Sequence, residues 1–249
     1  MIQIGQIAGV DETVRAQLQS SLQSLETALR TGRFDTDGEH AIETRTVLAL
    51  CCHGLELTHG IAALLAPSCV TFLPVLVRCL LELVCDAICI VHDPDFEVLL
   101  RHRALEDMNK WHKNIDRSCA PESAEIAAKV KSELDEAKGR VDTLAGKLQY
   151  KGFEVRQVSG RMKLLEKYAS AKQRLGSHTW PQLYQRLCVD AHHDLKEVLS
   201  RHIKTAAETQ QIFAYVDYDP KVTSTWMAVV SELVHQLEWC VSQQRLIDS

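Results

Sequence analysis

Between residues 184 and 193 two sets of polar side chains recur at helical spacing. Tyr184, Cys188 and His192 step by four and four, while Arg186, Asp190 and His193 step by four and three, so one helix would carry them as two separate stripes. A histidine beside an arginine and an acid has the parts for acid–base work on a phosphodiester. His192 or His193 would transfer protons, Arg186 would stabilise phosphate charge, and Asp190 would orient or tune the imidazole. The competing reading makes His192 a core histidine, hydrogen-bonded to Tyr184 or to a backbone carbonyl.

A second polar set lies earlier in the chain. Arg78, Glu82 and Asp86 are spaced i, i+4, i+8 within a stretch that is otherwise apolar nearly all round. An isolated buried charge costs several kcal/mol, so such a stripe must either form an internal ion-pair network or face a site. Arg78 and Glu82 have the spacing of an ordinary i, i+4 salt bridge. Between Lys147 and Arg174, eight basic residues stand against two acidic ones. That run reads either as a surface for an anionic ligand or as the solvated face of a helix.

The sequence offers little to a metal or an organic cofactor, and none is expected. Cys85, Cys89 and His92 share one helical face, but structural zinc usually draws ligands from knuckles or separate segments. Cys51-Cys52-His53 lacks a CxxC partner. No Walker loop, GxGxxG, GxSxG or HExxH motif occurs, which removes several common enzyme classes.

The elements that must position these residues are helices. Asp11 is placed to begin the first, whose Leu18, Leu22, Leu25 and Leu29 keep one face until Thr31-Gly32. A second is predicted over about 38–66, stopping at Pro67, and a third opens at Pro74 and runs to His92 as the central helix. A fourth covers about 95–117. A fifth, about 121–149, has a narrow apolar stripe that suggests a long arm. A sixth is expected over 161–175. Thr179-Trp180-Pro181 then caps a helix to about His193. Residues 212–216 read as a short strand or an extended linker. A last helix starts at Asp219-Pro220, with Trp226, Val230, Leu233, Leu237 and Cys240 on one face.

Composition agrees with this outline. Of 249 residues only 11 are Gly and 6 Pro, 46% are hydrophobic and 24% charged, which describes a soluble, helix-rich globular chain of ordinary domain size. We therefore expect one helical domain over 1–249, with 122–175 as a helical-hairpin insertion. A net charge of −5 excludes a globally basic nucleic-acid coat, though not a local basic site. Nine cysteines, several inside apolar patterns, point to a reducing cytoplasm. No secretion signal is visible at the N-terminus, and residues 72–91 carry three charges against membrane insertion.

Two blocks together resemble a bacterial all-helical family of unknown function. They are Leu73-Pro-Val-Leu-Val-Arg78-Cys-Leu-Leu-Glu82-Leu and Leu183-Tyr184-Gln-Arg-Leu187-Cys188-Val-Asp-Ala-His192, matching Arg-x-x-x-Glu and Tyr-x-x-Leu-Ser-x-x-x-His patterns over about 40–245. Arg186 with His192 or His193 also resembles the Arg, four-to-six residues, His pattern of HEPN ribonuclease-type domains. Cys188 stands where the usual residue is Ser, and Leu187 where those nucleases often have a polar residue. The resemblance implies an all-α, HEPN-like bundle that pairs as a homodimer and cleaves RNA without a metal, in a bacterial defence or stress system. Arg186, His192, His193 and Asp190 would be catalytic, with Arg78, Glu82 and Tyr184 as binding or supporting residues. The alternative is a non-catalytic helical module that binds a protein partner or a small anionic ligand.

Overall fold

A computed structural model describes residues 11–35, 37–64, 73–114, 123–168, 175, 178–191, 203–205, 212–214 and 220–245. The fold is all-α. Its helices are α1 (Glu12–Thr31), α2 (Ala41–Ala63), α3 (Leu73–His92), α4 (Glu97–Asn114), α5 (Ser123–Gly146), α6 (Val158–Leu165), α7 (Trp180–Ala191) and α8 (Pro220–Gln244). Short 3₁₀ turns, Pro94–Phe96 and Leu148–Tyr150, precede α4 and follow α5. One small hairpin pairs β1 (Ile203–Thr205) with β2 (Ile212–Ala214) antiparallel, Lys204 opposite Phe213.

The central position of α3 follows from its composition. Thirteen of its twenty residues are buried, and of the others Cys79 and His92 are exposed. Helices α2, α8, α7 and α6 pack around it, and α1 lies across α8 and α2. Asp11 caps α1, accepting from the Thr13 amide at 2.8 Å. α2 is, among the described residues, a helix long and apolar enough to cross a membrane by length and composition, a feature the sequence reading had sought only in α3. Here it rests on α3 and α8.

One sequence expectation changes in the structure. The sixth helix is eight residues long and ends at Leu165, because the chain turns at Glu166–Tyr168 to stack the Tyr168 ring on His92, with centroids 3.9 Å apart. The apolar face of α8 is turned inward, and Trp226, Val230, Leu233, Leu237 and Cys240 are all buried within the chain. α4 and α5 form a long hairpin, along a seam of Leu105, Val130, Ala137, Val141 and Leu144. Beyond Tyr150 the chain returns to the core, and Arg161, Met162, Leu164 and Leu165 are buried there.

The junction at the end of α3 is held by Asp93. Its Oδ2 accepts from Lys147 Nζ at 2.7 Å and from the Tyr150 hydroxyl at 2.6 Å, and its Oδ1 accepts from the Asp95 amide at 3.1 Å. Burial alone would push this carboxyl up, but the bonds from Lys147 and Tyr150 outweigh it and hold Asp93 below the usual carboxylate range. A group with a depressed native pKa contributes stability that is present above its unfolded value and lost as pH falls through the native one. Asp93→Ala should therefore cost about 1–3 kcal/mol near neutral pH, the loss of partners for buried donors. In urea titrations the gap between wild type and variant should stay constant from about pH 5 to 7 and close below about pH 4.

Two glycines predict stability changes of opposite sign. A Cβ on Gly160 would collide with the Glu154 backbone, so Gly160→Ala must displace the turn that precedes α6 and should cost about 1–3 kcal/mol. Gly139, in the middle of α5, has open space around it, and Gly139→Ala should gain up to about 1 kcal/mol from helix propensity. Thermal melts of the two variants check both signs.

Candidate functional site

Where α7 crosses α3, the two polar sets of the sequence meet in part. Arg78 donates from Nε to Glu82 Oε1 at 2.9 Å, and its guanidinium carbon lies 5.5 Å from the centroid of the Tyr184 ring. Both charged side chains are about one quarter exposed. The i, i+4 salt bridge is thus real, and the aromatic face fixes the guanidinium from the other side. Burial tends to lower the Arg78 pKa, but the bond to Glu82 and the neighbouring charges more than compensate, so it lies above its ordinary value and the cation is permanent.

Tyr184 and Cys188 are one turn apart on the flank of α7 that faces α3. Burial, with a hydrogen bond to Cys188, pushes the Tyr184 phenol above its usual pKa, so at neutral pH it keeps its proton. Leu183 and Leu187 anchor the same helix in the core. The packing that orients Tyr184 toward Arg78 therefore comes from the apolar residues beside it.

Arg186 is exposed on a different flank of α7, away from the buried Leu183 and Leu187. Asp190 belongs to α7 by its backbone, while its side chain, His192 and His193 lie outside the described residues. Arg78, Glu82 and Tyr184 are brought together, with Cys188 next to them. Arg186 is on the same helix but is not part of that contact.

The third charge of the α3 stripe is satisfied elsewhere. Asp86 Oδ1 accepts from Arg161 Nε at 2.8 Å, with side-chain exposures of 2% for Arg161 and 8% for Asp86. Arg161 also donates from Nη1 to the carbonyls of Val155 at 3.0 Å and Arg156 at 3.3 Å. Burial draws the Asp86 carboxyl upward, against the pull of Arg161 and of Arg103 from α4. In the sequence Arg161 belongs to the basic run. A signal was present, since Val158, Arg161 and Leu165 step by three and four, which places Arg161 on the apolar stripe of its helix.

Part of that basic run is engaged within the chain, while Lys151 and Lys163 are exposed. Lys147 pairs with Asp93 and Asp95, Arg156 with Asp142, Arg161 with Asp86, and Lys167 lies over the Phe153 ring at 4.3 Å. Lys172 and Arg174 lie outside the described residues. Cys85 and Cys89 are buried in the core, whereas His92 stacks between Tyr168 and Trp239. Among the described residues no three His, Cys, Asp or Glu side chains converge as ligands.

An all-helical bundle with a half-buried Arg–Glu–Tyr contact at the crossing of two core helices is the class these features define. Residues 45–211 match the model of a family of unknown function, DUF5677. That span is more than half of the chain, and the protein belongs to this family. No curated protein and no solved structure matches it.

Proposed function

We propose that the protein is a HEPN-like domain that cleaves RNA without a metal ion, working from the α3/α7 crossing. The observation that carries this reading is Arg78, held by Glu82 and backed by the Tyr184 ring, on the stripe that the sequence continues through Cys188 to His192. A guanidinium fixed before the ligand arrives loses little freedom on binding, which suits it to a phosphate whose charge grows in the transition state. In this reading one of His192 and His193 transfers the proton at the 2′-hydroxyl or the leaving oxygen. Arg186, on the exposed flank, holds a neighbouring phosphate, and Asp190 orients the imidazole. A second copy of the chain would bring two such motifs together.

Incubation of the purified protein with mixed RNA in EDTA tests this directly. Cleavage that persists in EDTA supports the reading, and intact RNA at micromolar protein overturns it. One specific observation favours a second reading, a non-catalytic helical module for a protein partner or a small anionic ligand. The buried charges at Asp86, Asp93 and Arg161 all have internal partners, and Lys147, Arg156 and Arg161 of the basic run are held in ion pairs within the chain.

A further inference from the structure

We infer that the groove between α1 and α8 is a binding site for a small organic amine, taken up as its ammonium ion. The groove encloses about 290 Å³, just below the usual range of small-molecule sites. It is lined by Gln17 and Ser21 of α1 and by Ser231, Glu232 and His235 of α8. No apolar side chain is among them, and each has an atom able to accept a hydrogen bond. The groove shares no residue with the α3/α7 crossing, and the inference does not depend on the ribonuclease reading.

The preference for a cation rests on Glu232. Its side chain is half-buried, yet among the described residues it forms no ion pair and no hydrogen bond. The surrounding charges leave this carboxylate over in either state of the neighbouring histidine. His235 Nδ1 lies 3.6 Å from Glu238 Oε2, so a protonated His235 is balanced by Glu238, and a neutral one leaves two carboxylates. The cations of the two helices are engaged elsewhere or distant. Arg15 pairs with Glu12 and Arg30 with Glu26. Arg15 also stands two residues before Gln17, on the other flank of α1. Arg245, just past α8, donates to the Ala28 carbonyl, and Lys221 lies about 16 Å before Glu232 along the α8 axis.

The remaining lining selects among cations. Ser21 and Ser231 meet with their hydroxyl oxygens 3.1 Å apart, one donating to the other. Each keeps lone-pair capacity for a third group, and Gln17 adds a side-chain carbonyl that is not engaged by any described residue. An ammonium group carries several N–H donors, which one carboxylate and single acceptors on two helices can satisfy. A metal ion needs ligands that converge on one point, and among the described residues no three His, Cys, Asp or Glu side chains do so. A neutral polyol would leave the Glu232 charge uncompensated.

A chemical-shift titration of the isotope-labelled protein tests the site, with ethanolamine as the probe, ethylene glycol as its uncharged counterpart and magnesium chloride as the metal. Ethanolamine should bind saturably and shift amides within residues 17–21 and 231–235. Its affinity should fall about tenfold in Glu232→Gln, the loss of one charge-assisted hydrogen bond, and a few-fold in Gln17→Ala. Glu56→Gln removes an exposed carboxylate from α2 and should bind like wild type. Circular dichroism establishes that the variants are folded. The inference is overturned if ethanolamine gives no saturable shift at tens of millimolar, if Glu232→Gln binds as tightly as wild type, or if Glu56→Gln loses as much. An equal response to ethylene glycol would make the groove a neutral polar site, and saturable shifts with magnesium would make it a metal site. Either result also overturns the inference.

Discussion

Arg161→Ala destabilises the fold by about 3–5 kcal/mol, because it strands Asp86 as an uncompensated charge in the core. Asp86→Ala should do the same from the other side, leaving a guanidinium with only 2% exposure and two carbonyl partners. The double variant Asp86→Leu/Arg161→Met is the informative comparison. Removing both charges abolishes the desolvation cost together with the attraction, so it should be more stable than either single variant and near wild type. Urea unfolding of wild type, Asp86→Leu, Arg161→Met and the double variant measures the coupling. Additive losses would mean that the pair does not act as a unit.

The second large effect concerns the proposed chemistry. If RNA is cleaved in EDTA, removing the proton-transfer histidine should lower the rate by about 10²–10⁴-fold, so one of His192→Ala and His193→Ala should fall this far and the other much less. Arg186→Ala and Arg78→Ala should each reduce the rate through loss of phosphate stabilisation. Arg78→Lys separates two roles, for lysine keeps the charge but loses the planar fork that Glu82 and Tyr184 hold in place. Equal rates in every variant would assign the cleavage to a contaminant, since residues of a working acid–base site cannot be removed without a kinetic cost.

The helices were legible in the sequence where local chemistry sets their ends. Asp11, Pro74, Asp93-Pro94 and Thr179-Trp180-Pro181 mark starts that the structure reproduces within a few residues, because caps and prolines act on their own turn of backbone. The end of α6 was not legible. It depends on Tyr168 meeting His92, a contact between segments that no periodicity connects. The same limit hid the partner of Asp86. The apolar surroundings of that carboxylate demanded a cation, but local spacing could supply only Arg78, and the actual partner lies 75 residues away. The contact of Arg78 with Tyr184 likewise joins two segments that no periodicity connects. The separation of Arg186 from that contact was already implicit in the two stripes of α7.

The embrace of α8 by α1, α2 and α3 also bears on how the chain is made. The surfaces of α3 that α8 covers, including those near Leu83, have no substitute cover until residues 220–244 have been synthesised. At about 5–20 residues per second, roughly 8–30 s separate the appearance of His92 from that of Gln244. α1 waits longer still, for its main contact is also α8, with hydrogen-bonded pairs such as Ser21 and Ser231 lying 210 residues apart. During that interval a nearly all-apolar helix is exposed on the nascent chain. Soluble yield on expression should therefore rise with a co-expressed holding chaperone, which a comparison of yields with and without it checks.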